Sequence, residues 1–462
     1  MNYTEFLMKK TKRELPMGIE VEAKNKYLFD WQKKVVEFAL KRGSAALFED
    51  TGLGKTGQQL VWAEEICRYT NKPVLIVAPL AVSAQTKREA EQVFNIEVPV
   101  KIVRDQSQVI NGINITNYEI LQHFDASAFS GVVLDESSIL KAYMGKTKRM
   151  IVDMFKDTPF KLACTATPAP NDLMELLNHA EFLNIMKSSE ALSIWFIADQ
   201  SQSGHYRLKG HAEKDFWDWV ATWAICMDKP SDIGYSDEGY ILPPLNVKDE
   251  IVKTDWFEAD GRLRDIQTSA TGFYKEKAYT APLRVERTVE ILKENPDEQF
   301  VVWCDTNDEA DRLKAAIPGC VEIRGSDKPE KKEKAAIDFV NGDIKVLVSK
   351  SEIFGFGLNF QNCHNTIFCG MNYSFEGYYQ AVRRFHRFGQ AKQVNVWRVM
   401  GDTEHNILST IERKEQMKQN MQKSMSASMK NAQISNLKGL REFKISESKV
   451  KYDIPAWLSS VV

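Results

Sequence analysis

Between Tyr27 and Phe182 the chain alternates short apolar runs with stretches of helical periodicity. The runs are Val74-Leu75-Ile76-Val77-Ala78, Val100-Lys101-Ile102-Val103, Ile113-Asn114-Ile115-Thr116, Val132-Val133-Leu134 and Phe160-Lys161-Leu162-Ala163. Short apolar runs separated by helical segments predict βαβ units and a parallel sheet. Residues 183–245 break the rhythm: they are rich in Trp, Phe and Tyr and close on Leu242-Pro243-Pro244. It resumes with Phe300-Val301-Val302-Trp303, Cys320-Val321-Glu322-Ile323, Lys345-Val346-Leu347-Val348, Thr366-Ile367-Phe368 and Val394-Asn395-Val396-Trp397. From Glu412 the tail is rich in Lys, Met, Gln and Ser, predicting a helix and then a loosely ordered basic end. The expected fold is α/β, with two parallel-sheet domains and a helical, aromatic-rich insertion. Its expected divisions are a lead-in over 1–26, domain one over 27–190, insertion and linker over 191–280, domain two over 281–415 and a basic helical tail over 416–462.

Composition narrows the picture. At 462 residues the chain is long enough for two or three domains with separate cores. A formal net charge of -2 excludes a globally basic protein, so any polyanionic partner must be met by a local basic surface. The seven cysteines form no Cys-x-x-Cys pair, which points to reduced, buried thiols and a cytoplasmic setting. His205, His211 and Cys226, or Cys363, His364 and Cys369, lack the ligand spacing of structural zinc sites. Lys9, Lys10, Lys12 and Arg13 precede no apolar core, so no signal peptide is expected. No apolar run approaches membrane-spanning length. A soluble chain without a membrane partner is the expectation.

The most chemically specific stretch is Leu47 to Thr56, LFEDTGLGKT. An apolar lead runs into Thr51, Gly52, Leu53 and Gly54, followed by Lys55, Thr56 and a helical pattern. Glycines let backbone N–H groups turn inward around an anion, and the following helix directs its positive end to the same place. Lys55 can reach the β- and γ-phosphates of ATP, while the Thr56 hydroxyl holds magnesium. The usual pattern has glycine at position 49, where this chain has Glu49.

Two further constellations join it. Asp135 and Glu136 stand at the end of the run Val132-Val133-Leu134, where ligands of open α/β sheets bind. Asp135 suits a water-bridged magnesium and Glu136 an attacking water. Cys164-Thr165-Ala166-Thr167-Pro168 leaves another apolar run and reads equally as a hydroxyl relay or a plain turn. Further on lies Gln380-Ala381-Val382-Arg383-Arg384-Phe385-His386-Arg387-Phe388-Gly389-Gln390. Arg384 and Arg387 are three apart and would share a helix face. Two guanidiniums aimed at one point suit a departing γ-phosphate, and such fingers are worth roughly 10³–10⁵ in rate.

In order and wording these motifs resemble superfamily 2 helicases, and within them the Swi/Snf group of double-stranded-DNA translocases. Leu28-Phe29-Asp30-Trp31-Gln32 is similar to that group's adenine-reading segment, with Gln32 as reader. Leu75 to Leu80, including Pro79, resembles its motif Ia, and Ile115-Thr116-Asn117-Tyr118-Glu119 a further strand-contacting segment. Thr165-Ala166-Thr167-Pro168 resembles motif III; Gly355-Phe356-Gly357-Leu358-Asn359-Phe360 and Gln380 to Gln390 resemble motifs V and VI. The likeness covers residues 27–415. It implies two RecA-like domains flanking an ATP cleft. Gln32, Thr51 to Thr56, Gly357 and Gln380 would bind ATP; Lys55, Asp135, Glu136, Arg384 and Arg387 would be catalytic. Thr56 and Asp135 would hold magnesium, and Pro79, Tyr118, Thr165, Thr167 and Asn359 would contact or couple to nucleic acid. Two departures stand out: Ser137-Ser138 replaces the residues of the acid motif that commonly end in histidine, and Arg383 replaces a common acid. Insertions smaller than those of eukaryotic remodellers favour a compact bacterial or phage-type relative, acting in the cytoplasm of a bacterium or an infected host.

Phe216-Trp217-Asp218-Trp219 through Trp223 fits either a base-stacking platform or core, and helical spacing favours core. The lysine-rich tail fits a solvated face better than a phosphate track. The favoured function is an ATP-dependent motor on duplex DNA, monomeric, with replication or recombination proteins as partners. Its rivals are a strand-separating helicase on DNA or RNA and a non-enzymatic nucleic-acid scaffold.

Overall fold

The computed structural model describes residues 18–80, 82–141, 145–170, 172–198, 206–255, 270–354 and 360–438. Helix α1 (Asp30–Arg42) leads into β1 (Ser44–Glu49), and the phosphate loop joins β1 to α2 (Lys55–Thr70). The alternation continues with β2 (Val74–Ala78), α3 (Ser83–Gln92), β3 (Val100–Ile102), β4 (Ile113–Asn117), β5 (Gly131–Asp135), α4 (Lys146–Met154) and β6 (Phe160–Cys164). Strands β1, β2, β5 and β6 are buried throughout, as expected of continuous apolar strands in a parallel sheet. Helices α5 (Glu175–Phe182) and α6 (Ser188–Trp195), the hairpin β7 (Phe196–Ala198) and β8 (Tyr206–Leu208), and α7 (Glu213–Val220) follow. Strand β9 (Ala224–Met227) then returns to the first sheet and pairs with β1. The seven strands run parallel in the order β3-β4-β2-β5-β6-β1-β9. Two apolar clusters cover its faces.

Within the stretch expected as insertion and linker, β9 pairs with β1 and extends the first sheet, whereas Leu245–Val252 pairs in the second. The aromatic residues of this stretch are core: Phe216, Trp217, Trp219 and Trp223 are all buried, and Trp195 stacks on Trp219 at 4.5 Å. Trp223 lies beyond the end of α7, at the entry to β9, and not on the helix with Trp219.

The second sheet begins with β10 (Leu245–Val252), an edge strand, followed by α8 (Ala270–Glu294), β11 (Phe300–Cys304), α9 (Asn307–Ala316) and β12 (Val321–Ile323). It continues through α10 (Pro329–Asn341), β13 (Val346–Lys350), α11 (Ser351–Phe354), β14 (Asn365–Cys369), α12 (Phe375–Val382) and β15 (Val394–Gly401). Its six strands, also parallel, have the order β10-β15-β14-β11-β13-β12. The 34-residue helix α13 (His405–Lys438) leaves this domain and lies back across the first. Its Met425 and Met429 enter the first domain's core, its Gln433 side-chain oxygen accepts from the Cys226 N–H at 2.6 Å, and its Asn436 donates to the Ala221 carbonyl at 2.6 Å. Among the described residues no helix is long and apolar enough to cross a membrane.

Candidate nucleotide site between two parallel sheets

Strand order explains the site. In the first sheet β6 lies between β5 and β1, so the turn after β6 separates the acids from the phosphate loop. Gly52 and Gly54 take φ of 88° and 79°, which a side chain would strain, and a Cβ on Gly54 would meet the Gln32 amide nitrogen at 2.4 Å. Gln32 donates to the Leu53 carbonyl at 2.8 Å and accepts from the Phe29 N–H at 2.9 Å. Leu53 is buried, whereas Thr56 is half-buried in the first turn of α2. Lys55 donates to the Glu49 and Asp50 carbonyls at 2.8 and 3.0 Å. Position 49 tolerates glutamate because its carboxylate points inward and accepts from Gln58 of α2 at 2.8 Å, tying strand to helix. Burial pushes the Glu49 carboxyl up to about 7.

Gln59, one turn into α2, donates to Asp135 at 2.8 Å, and the Tyr118 hydroxyl donates to the Asp135 carbonyl at 2.7 Å. Tyr118 thus braces the acid motif. Glu136 takes φ 53°, a left-handed conformation uncommon for a side-chain-bearing residue and typical of strained functional positions. Burial and the neighbouring Asp135 push its carboxyl up to about 7, and burial also raises Asp135. Thr165 and Thr167, on the turn after β6, are buried, with the Thr165 hydroxyl 3.5 Å from Glu136. Both side chains are shielded from the surface. Pro79, at the end of β2, is half-buried.

A histidine does reach the acid motif, from α5. His179 is buried with Nδ1 3.3 Å from the Glu175 carbonyl and Nε2 3.1 Å from the Ser137 hydroxyl. Burial pulls it down to about 4, so it is neutral, with Nδ1–H donating and Nε2 accepting. Ser138 and Lys141 both reach Glu376 of α12, at 2.8 and 2.5 Å, joining the acid motif to the second domain. His179 and Glu376 escaped the sequence reading because both are distant from the motifs they serve.

The second domain brings the arginines. Helix α12 ends at Val382, so Arg384 and Arg387 stand on the following turn and not on a helix. The N–H groups of Arg384 and Phe385 bond back three residues, to Ala381 and Val382, and the chain leaves through Gly389 at φ 89°. Arg384 still lies near the acids: burial and Arg387 pull it down to about 9, while Glu136 and Asp135 draw it up. Burial lowers Arg387, with Glu89 opposing. A Cβ on Gly52 would meet the Phe388 backbone nitrogen at 3.0 Å, so this turn already touches the phosphate loop. Gln380 is buried on α12. Gly357 and Asn359 lie outside the described residues.

The donor set fits a magnesium–nucleotide pair. Carboxylates on one wall suit a cation, and guanidiniums on the other suit an anion. Buried polar atoms without hydrogen-bond partners include the Thr51 hydroxyl, the Gln380 amide nitrogen and the Gln59 amide oxygen. The fold and site define a two-domain protein with a candidate nucleotide site at the seam of its sheets. The SNF2-related domain matches residues 31–204 and the helicase conserved C-terminal domain matches residues 283–389, together more than half of the chain. The chain belongs to the Swi/Snf-like group of superfamily 2 helicases.

Among curated relatives, the TATA-binding protein-associated factor mot1 of Schizosaccharomyces pombe is 32% identical over 112 residues, covering 22% of this chain and 6% of that protein. The DNA annealing helicase and endonuclease ZRANB3 of Mus musculus is 22% identical over 420 residues, covering 80% of this chain and 38% of the mouse protein. This chain thus spans well under half of either relative. Among solved structures, the SWI2/SNF2 ATPase core of Sulfolobus solfataricus in complex with dsDNA is similar with a TM-score of 0.43 and 16% identity, covering 92% of this chain and all of that one.

Proposed function

We propose that this chain is a nucleic-acid-dependent ATPase that moves along duplex DNA and remodels DNA or DNA–protein complexes. The observation that carries this reading is the division of labour at the seam: phosphate loop and acids on one sheet, arginine pair on the other. Lys55, Thr56 and Asp135 would hold the phosphates and magnesium, and the ion would supply charge neutralisation at the β- and γ-oxygens. Glu136, at the strained end of β5, would orient water. Arg384 and Arg387 would meet the charge that grows as the γ-phosphate leaves. Neither wall suffices alone, so hydrolysis is coupled to the approach of the domains.

Family membership and the name of the mouse relative support DNA as the track. The small net charge suits a localised phosphate path. We further propose that the chain works as a monomer, in the cytoplasm of a bacterial or phage-infected cell, beside replication or recombination proteins.

ATPase rates with duplex DNA, single-stranded DNA and RNA, together with triplex- and strand-displacement assays, test the reading. Duplex should stimulate most, with little sequence preference and a steep fall as salt rises. Triplex displacement should succeed where blunt duplex unwinding is weak. Robust unwinding of a fork with stronger stimulation by single strands would make the chain a strand-separating helicase, and no ATPase with any polymer would leave a scaffold.

A further inference from the structure

Arg383 stands where the Swi/Snf group commonly has an acid, and the structure gives it a partner. Its Nη2 donates to the Asp50 carboxylate of the phosphate loop at 2.7 Å, across the seam. Its Nε donates to the Tyr379 hydroxyl at 3.1 Å, and its Nη1 lies 3.4 Å from the His386 carbonyl oxygen. The Tyr379 hydroxyl itself donates to Asp50. One guanidinium therefore spans the turn that carries Arg384 and Arg387, from Tyr379 on α12 to His386 between the two arginines. The far end of that turn is fixed as well, because His386 Nε2 lies 2.8 Å from the Pro243 carbonyl of the linker.

The C-terminal helix closes the cluster. Lys418 of α13 sits 3.2 Å over the Tyr379 ring and 3.9 Å from Asp50, and one turn later Gln422 donates to Asp228 at 2.7 Å. Asp50 is also the residue whose carbonyl accepts from Lys55. Phosphate loop, arginine turn and C-terminal helix thus meet at one buried carboxylate. A lysine at 383 would carry the charge without the planar fork that reaches Tyr379, Asp50 and His386 together.

We propose that Arg383, seconded by Lys418, is a positioning residue for the arginine pair, holding Arg384 and Arg387 in register with the acids by pairing with Asp50. The proposal rests on the ATPase reading for its kinetic consequence but not for its structural one. Arg383→Ala should lower polymer-stimulated kcat by about 10- to 100-fold while the KM for ATP stays within about threefold, and Lys418→Met should lower kcat several-fold. Arg383→Lys should fall between parent and Arg383→Ala. The exchange Asp50→Arg with Arg383→Asp should recover about tenfold over Arg383→Asp alone.

The second readout is the distance between one fluorophore on each domain in nucleotide-free protein. It should broaden toward longer values in Arg383→Ala and narrow again in the exchange variant. An Arg383→Ala protein with the parent's kcat and distance distribution overturns the proposal, as does an Arg383→Lys protein equal to the parent in both. If the parent hydrolyses no ATP, the functional reading fails while the distances still decide the latch.

Discussion

The two walls of the seam carry opposite charge and answer the same burial in opposite directions. On the first domain, Glu49 and Glu136 are both pushed up to about 7. On the second, Arg384 is drawn down to about 9 and Arg387 is lowered too. Each wall alone holds charges that its own surroundings disfavour. The contrast with Asp50 is instructive. It is as buried as they are, and burial works against its charge, yet Arg383, Lys418 and the Tyr379 hydroxyl outweigh burial and hold it at about 2. Ionisable groups that burial shifts from their usual range cluster at functional sites. Glu136, Arg384 and Arg387 are such groups and are the candidates for the chemistry, whereas Asp50 is held charged by the groups around it.

The largest expected effects separate the walls by kinetic signature. Lys55→Ala should remove most turnover and weaken nucleotide binding, because it deletes a ground-state phosphate partner, while nucleotide-free DNA binding survives. Glu136→Gln should keep nucleotide affinity and lose about 10²-fold or more in kcat, because only the water-orienting charge goes. Arg384→Ala and Arg387→Ala should each lower kcat by about 10²- to 10³-fold with little change in nucleotide affinity. Equilibrium nucleotide titration beside steady-state turnover measures both. If the arginine variants lose affinity as Lys55→Ala does, or keep kcat within about threefold of the parent, the division between the walls is wrong.

A smaller effect tests the aromatic region against the site. Trp219 is buried and stacked on Trp195, so Trp219→Ala should destabilise the fold by about 3 kcal/mol in urea unfolding. DNA affinity per folded molecule should be unchanged. A stable variant with weakened single-strand binding would restore the stacking-platform reading.

Much of the fold was legible because its central strands are continuous apolar runs bounded by helical periodicity. Ala224–Met227 was not: four residues after a tryptophan-rich helix read as part of an aromatic block. Leu245–Val252 was hidden by Lys248, Asp249 and Glu250, the polar composition of an edge strand. At the site, the residue types were legible and some of their supports were not. A spacing of three fits a helix face and a tight turn equally, so Arg384 and Arg387 suggested a helix that ends before them. The Arg383–Asp50 bond joins positions 333 residues apart, beyond the reach of any local pattern. The unusual residues at 49 and 383 were visible as departures; only the fold shows that each has a partner.

The smallest effect concerns Glu49 and carries a sign that a purely structural glutamate would not. Its folded-state carboxyl sits at about 7, above the usual 4.5, so the protonated form is favoured on folding. That contribution is fully present below about pH 4.5 and is lost as pH rises through 7. Glu49→Gln removes the titration and preserves the shape. The Gln58 amide oxygen, buried without a partner, can accept from the new amide once Gln58 turns over. The variant should therefore match the parent near pH 5 and exceed it at pH 8 by on the order of 2 kcal/mol in urea unfolding. A variant equally destabilised at both pH values would mean that Glu49 is held as a carboxylate. It would then be a structural acid like Asp50, held charged by Lys55 and the Gln58 amide.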